Sequence, residues 1–325
     1  MQNRDEHAEA ALGQGLEALL VKNAIALGVR AAAGVSHLAF ALRGAFAPLE
    51  VTRGFAYGDH PRHRFDLWRP RAPAAAPRPL VLFLHGGGFQ HLDRGSHWAF
   101  AERFAQAGAV VMSADYRLAP AHPHPAAADD AARLLRHALS WAADFGADPA
   151  QLIVSGTSAG ANLALGLAIG GAQVGRPPRA CVLFSGLLQV SDIARLYRHV
   201  AMTRPLRARI ASIACDYVGP HAVAHLPEHL DARLDPLLYL ERTSALPPDF
   251  PAVFCSTGTR DAVRDDAERL QDCLSRHRVR SALDVEPDAG HAFQGFVHRP
   301  RVRAVWERAF AFLRSGGIPL ASPER

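Results

Sequence analysis

The sequence predicts an α/β protein, a parallel sheet with helices packed on both faces. Three observations predict it. Four apolar runs, at residues 80–84, 109–114, 152–155 and 180–185, recur with helical stretches between them at about 97–107, 126–145 and 159–169. Strand then helix, repeated, buries a parallel sheet between helical layers. Two of the runs lead directly into glycine-bearing patches, His85-Gly86-Gly87-Gly88 and Gly156-Thr157-Ser158-Ala159-Gly160. With 325 residues and 49% hydrophobic content, the chain holds apolar material for one large core or two domains, and the regular alternation favours one core with insertions.

The elements follow in order. Residues 8–46, rich in Ala and Leu, read as helix ending near Gly44, and residues 1–50 form an N-terminal helical lid segment. Residues 51–57 and 64–68 read as two strands joined through Gly58-Asp59-His60-Pro61, a hairpin-like opening. A Pro/Ala linker at 71–79 precedes the parallel core. Regularity stops after Ser185-Gly186. Residues 188–246 carry helical segments such as 204–217, many histidines, and Pro205, Pro220, Pro227 and Pro236, with no core strand, so they read as a helical lid insertion. The core resumes with a strand at 251–256, a helix at about 262–277, a strand at 281–286 and a last helix at about 300–314. The expected organisation is therefore a core in two parts, 51–187 and 247–325, with lid segments at 1–50 and 188–246.

Composition narrows the class. The formal charge of +5 is spread among 31 acidic residues, with no cationic run and no interleaved aromatic platform, which argues against nucleic acid as a partner. Lys22 is the only lysine. The four cysteines form no C-x-x-C pair, and Cys181 and Cys255 sit inside expected strands as small hydrophobes. The polar, partly acidic opening Met1-Gln2-Asn3-Arg4-Asp5-Glu6-His7 is unlike a secretory signal, and Glu17, Lys22 and Arg30 interrupt the apolar stretch after it. A soluble cytoplasmic protein without membrane insertion is expected. His221, His225 and His229 have i, i+4 spacing, but Pro227 breaks the helix and no acid partner is evident, so no metal is expected.

The chemistry lies at the carboxyl ends of the strands, where sites of such sheets collect. G-x-S-x-G between a strand and a helix lifts the Ser158 hydroxyl above the sheet edge, close to free backbone N–H groups. The His85–Gly88 patch supplies further N–H groups from a second strand end. Together they resemble a nucleophile and the hole that receives the negative charge it creates. Asp261 follows the 251–256 strand after Thr257-Gly258-Thr259-Arg260, and His291 follows the 281–286 strand. A serine hydroxyl needs a base within hydrogen-bond reach. His291 is the candidate base, and Asp261 the group that holds its tautomer. Asp265 and Asp266 compete with Asp261, but they fall within the next helix, on a face expected to be solvated, where one of them caps the helix or pairs with Arg269. Asp115 and Arg117 read as an ion pair supporting their loop. His85 reads as an anchor of the glycine loop without a proton-transfer role. Phe89, Leu187, Leu188 and Phe293 fall near strand ends, as acyl-pocket lining or as core.

The order Ser158, Asp261, His291, the HGGG patch, the G-x-S-x-G patch and the string Asp115-Tyr116-Arg117-Leu118-Ala119-Pro120 are similar to the hormone-sensitive-lipase-like esterases of the α/β-hydrolase superfamily, over about residues 55–315. The resemblance implies an α/β-hydrolase fold with a mostly parallel central sheet, helices on both faces and a helical lid. It implies a serine carboxylesterase that uses no cofactor and hydrolyses small-molecule esters with short- to medium-chain acyl groups through an acyl-enzyme intermediate. By the family pattern the oxyanion hole is formed by the N–H groups of Gly87, Gly88 and Ala159. A homodimer is left open. There are departures: Thr157 stands where an acid is common, Ala121 replaces the usual glutamate after Pro120, and Ala292 stands where glycine often follows the histidine. They bear on substrate choice and leave the catalytic groups in place. Two alternatives are an arylformamidase-like amidase of the same fold and a non-catalytic small-ligand receptor. Receptors of this fold lack the histidine, and here His291 is present.

Overall fold

In a computed structural model of the chain, residues 48–171, 177–197, 204–218 and 231–321 are described. The expected helix at 8–46, and His221, His225 and His229, lie outside the described residues. The first pair of strands, β1 (Leu49–Ala56) and β2 (Arg64–Pro70), is antiparallel, as the hairpin reading expects. Six more strands follow: β3 (Arg78–Leu84), β4 (Val110–Ala114), β5 (Ala147–Thr157), β6 (Ala180–Phe184), β7 (Ala252–Gly258) and β8 (Ser281–Glu286). All eight join one sheet in the order β1-β2-β4-β3-β5-β6-β7-β8. β2 meets β4 antiparallel, and every pairing from β4 to β8 is parallel.

β3 shows why its sequence is apolar without alternation. Leu80, Leu82 and Leu84 point into one core, and Val81 and Phe83 into a second core on the opposite face. A strand covered on both sides has no solvent face to make polar. The first core is closed by helices α2 (Ala126–Trp141) and α3 (Ala159–Gly170), through Leu134, Leu135 and Leu163 among others. The second is closed by α1 (Trp98–Gln106) and α7 (Pro300–Ser315), where Phe100, Phe104, Trp306 and Phe310 pack together. α3 is apolar all round except for Asn162, as a fully buried helix must be. Asn162 Nδ2 donates to the carbonyls of Leu187 and Leu234, both at 3.1 Å, and so spends its polarity on loop backbone.

Two expected boundaries shift. The helix expected over 126–145 stops at Trp141, and a 3-10 turn, Ala143–Phe145, ends on Gly146 in the left-handed region. β5 starts at Ala147, earlier than its apolar run, because Arg78 and Pro79 continue the pairing of β3 backwards. Between Gly186 and Leu246 the described residues form no strand. They hold a 3-10 turn (Ile193–Tyr197), α4 (Arg204–Val218) and α5 (Pro236–Arg242). The remaining helix, α6 (Arg264–Arg276), lies between β7 and β8 in the chain. No helix among the described residues is long and apolar enough to cross a membrane.

The topology sets the site. The chain runs from β3 to β4 on one side, then crosses back over β3 to place β5 on the other and continues in that direction. Strand order therefore reverses between β3 and β5, and ligands of open α/β sheets bind at such a switch point. Leu84 and Gly156 are register partners there, so the two glycine patches leave the sheet side by side.

Candidate active site

Ser158 is the one residue between β5 and α3, and its backbone has φ 55° and ψ −117°. A non-glycine residue in that region is strained, and such strain collects at functional sites. The close approach of Gly160 to β3 allows the turn: a Cβ on Gly160 would lie 2.0 Å from the Leu84 carbonyl oxygen.

Three predicted side chains meet here. The Ser158 hydroxyl lies 3.0 Å from His291 Nε2, and His291 Nδ1 lies 2.8 Å from Asp261 Oδ1. Asp261 is 1% exposed and also accepts from the Val263 N–H at 3.2 Å and the Thr257 hydroxyl at 3.3 Å. An ionised carboxylate can only accept, so it takes the Nδ1–H of His291 and leaves Nε2 as acceptor for the serine proton. Burial pushes the Asp261 carboxyl up, but the adjacent His291 and the hydrogen bonds from His291, Ser185 and Val263 outweigh it, and the group lies below the usual carboxylate value. For His291 the order is the same: desolvation pushes it down, the charge and hydrogen bond of Asp261 outweigh that, and it lies above the ordinary imidazole value. The His291 side chain is 46% exposed, so solvent screens part of this interaction.

Ser185, the first residue past β6, has no place in the sequence reading. It is fully buried with φ 46°, and its hydroxyl accepts the Ala292 N–H at 3.0 Å while also serving Asp261. Ala292 itself is held at φ 55°, the conformation that glycine would take there without strain. Gln294 extends the support, donating to the Ser256 carbonyl at 3.0 Å. The rule that selected Asp261 and His291, position just past a strand end, also selects Ser185.

The glycine loop presents N–H groups. The Gly86 carbonyl accepts from His85 Nδ1 at 2.7 Å, so the N–H of the same peptide, on Gly87, faces the other way. The Gly87 carbonyl accepts from Gln90 and His91 N–H at 3.2 and 3.1 Å, which turns the Gly88 N–H outward in the same manner. Gly87 has φ +114°, and a Cβ there would lie 2.1 Å from the His91 carbonyl oxygen. Ala159 is the first residue of α3, where an N–H has no partner within the helix. Among the described residues no protein acceptor meets the N–H of Gly87, Gly88 or Ala159. His85 is fully buried, and burial pushes its ring down to about 3, so it is a neutral anchor. α4 lies across this loop: Ile213 packs over Gly88, Tyr217 stacks on Phe89 at 3.6 Å, and Gln90 Nε2 donates to Asp216 at 2.9 Å. Phe89, Leu187, Leu188 and Phe293 are all buried.

Two expectations are corrected. Asp115 and Arg117 do not pair with each other. Asp115 binds the guanidinium of Arg94 and accepts its N–H at 2.7 Å, whereas Arg117 pairs with Asp130 at 2.6 Å. Side chains two apart share a face only while the backbone stays extended, and β4 ends at Ala114. Beyond it Tyr116 stacks on His85 at 4.3 Å, Asp115 meets Arg94, and Arg117 meets Asp130 on α2. Asp266 is not on a solvated face. It is fully buried, pairs with Arg195 at 2.6 Å and accepts the N–H groups of Leu188 and Gln189 at 2.8 and 3.3 Å. Arg269, its expected partner, forms a longer ion pair with it at 4.0 Å and binds Glu241 more closely at 2.6 Å. Segment 187–197 folds over α6 and supplies these donors.

Residues 81–295 match the model of a family described as alpha/beta hydrolase fold. Esterase LipI of Mycobacterium tuberculosis is 41% identical over 234 residues, 71% of this chain and 70% of its own length. Carboxylesterase NlhH of the same species is 30% identical over 222 residues, 67% of each chain. A solved structure, esterase LipW from Mycobacterium marinum, superposes with a TM-score of 0.72 at 26% identity, covering 93% of this chain and 90% of that one. By its fold, its strand-end motifs and these relatives, the chain belongs to the hormone-sensitive-lipase-like esterases of the α/β-hydrolase superfamily.

Proposed function

We propose that this carboxylic ester hydrolase cleaves short- to medium-chain acyl esters through an acyl-enzyme on Ser158. The observation that carries the reading is the hydrogen-bonded chain Ser158–His291–Asp261, at 3.0 and 2.8 Å, beside three N–H groups that meet no acceptor among the described residues. His291 Nε2 takes the Ser158 proton as Oγ attacks the ester carbonyl. The N–H groups of Gly87, Gly88 and Ala159 bind the resulting oxyanion, a role in which losing one donor typically costs about 2.7–4 kcal/mol. Asp261 stabilises the imidazolium without taking its proton. Collapse of the tetrahedral species breaks the bond to the alcohol, which leaves with the proton from His291. Water then attacks the acyl-enzyme, its proton passing to His291 and on to Ser158 as the acid departs. No step requires a cofactor.

A lid in residues 188–246 is supported by the seat of α4 on Phe89 and Gly88, and residues 1–47 of the expected N-terminal lid segment lie outside the described residues. Four free cysteines fit a cytoplasmic location, where thiols stay reduced. Rates on p-nitrophenyl esters from acetate to palmitate test the substrate class. The fastest turnover is expected for acyl groups of about two to eight carbons, without the interfacial activation of an enzyme that settles on lipid. A maximum on palmitate contradicts this, and faster cleavage of an N-formyl aromatic amine reassigns the enzyme as an amidase.

A further inference from the structure

We propose that His97 is a positioning residue of the oxyanion loop, its bare Nε2 holding the Gly86 N–H so that the next two peptides project theirs toward Ser158. The proposal rests on the acyl-enzyme reading given above. His97 ends a 3-10 turn, Arg94–His97, and lies on no strand end and in no recognised motif. Its buried ring sits 5.9 Å from His85, 6.1 Å from Phe83 and 5.7 Å from Phe100.

Counting protons assigns its tautomer. Ser96 Oγ donates its single proton to the Asp93 carbonyl and accepts from the Asp93 N–H at 3.2 Å. Toward His97 Nδ1, 3.0 Å away, Ser96 Oγ can therefore only accept, so Nδ1 carries the hydrogen. Nε2 is then a bare lone pair, and the Gly86 N–H points at it from 3.2 Å. The two ends of the ring agree independently. The other end of the same peptide, the His85 carbonyl, accepts the Tyr116 hydroxyl at 2.7 Å. The His85–Gly86 peptide is thus held at both ends, and the two peptides after it have their carbonyls tied back by His85 and by the Gln90–His91 turn. A rotated Gly86 peptide would carry the Gly87 N–H away from Ser158. The titratable groups facing the ring are Asp93 and His85, and burial keeps the ring uncharged, pushed down to about 3. A protonated Nε2 would meet the Gly86 N–H donor to donor.

The test compares His97→Phe, which keeps a flat ring and removes the acceptor, with His97→Gln, whose amide oxygen reaches the Nε2 position. His97→Phe is expected to lower kcat about 10- to 100-fold with KM changed less than about 2-fold. Affinity for a trifluoromethyl ketone, which forms an oxyanion on the serine, should fall by the same factor as kcat/KM. His97→Gln should recover most of both. Unchanged kcat in His97→Phe, or a loss of kcat with full ketone affinity, overturns the proposal. Nitrogen-15 spectra of the wild-type histidines give a readout free of catalysis and of variant folding: His97 is expected as the neutral Nδ1–H tautomer, and the Nε2–H tautomer overturns the assignment. Retained activity in Ser158→Ala would instead defeat the acyl-enzyme reading and leave that tautomer result standing.

Discussion

Replacing Asp261 by asparagine keeps the size of the side chain and removes its charge. The carboxylate is 1% exposed and accepts from His291 Nδ1, the Val263 N–H and the Thr257 hydroxyl. An amide in that place turns a donor or a weaker acceptor to His291, and the ring proton moves to Nε2, the atom that must receive the serine proton. In a well-studied triad this exchange lowers kcat by about 10⁴-fold with little change in geometry. The same loss is expected here, with KM nearly unchanged. The matched control is Asp266→Asn, five residues along. It breaks the buried pair with Arg195 and costs stability, typically about 3–5 kcal/mol for an uncompensated buried partner. It leaves the Ser158–His291 geometry intact, so the folded fraction should turn over at a near-normal rate. Steady-state kinetics beside thermal unfolding separates the two. Near-normal kcat in Asp261→Asn, with its loss in folded Asp266→Asn, would refute the assignment of the acid.

The pH profile of kcat/KM should rise through one ionisation above the ordinary imidazole value of 6.5, because Asp261 raises His291 and only the neutral ring is a base. A profile flat from about pH 5 to 9 would require another base. The same shifts give a stability term of opposite trend. The raised His291 contributes fully below 6.5 and loses its contribution as pH climbs through its folded value, and the lowered Asp261 contributes above 3.8 and fades as pH falls through its own. The pair thus stabilises the fold most where the base is least active. Gly160→Ala puts a Cβ 2.0 Å from the Leu84 carbonyl and 2.5 Å from that of His85, and should lower activity at least about 100-fold by displacing the turn. Normal activity and melting temperature in that variant would contradict the packing described for the turn.

What the sequence revealed and what it hid have physical reasons. β3 and β6 were legible because a strand covered on both faces is a continuous apolar run. Ser158, Asp261 and His291 were legible because each follows such a run at the edge where parallel strands deliver their loops. Asp266 was misread because α6 carries five other acidic or basic residues within its first turns and looks solvated; its burial depends on Arg195, 71 residues earlier in the chain. Ser185 stands just past a strand end, where the same rule reaches it, whereas His97 acts on the backbone of another segment, at Gly86, and a side chain that serves such a peptide leaves no periodic trace. The Asp115–Arg117 pairing failed because the strand ends at Ala114 and the partners that replace it, Arg94 for Asp115 and Asp130 for Arg117, come from segments more than ten residues away in the chain.

The central claim is that Ser158 is acylated. Treating active enzyme with a fluorophosphonate and mapping the adduct by mass spectrometry tests it most directly, since the reagent reports the serine whose hydroxyl has a working base. The account predicts a single adduct on Ser158, absent from Ser158→Ala. An adduct on the buried Ser155 or Ser185, or full activity without any adduct, would contradict it.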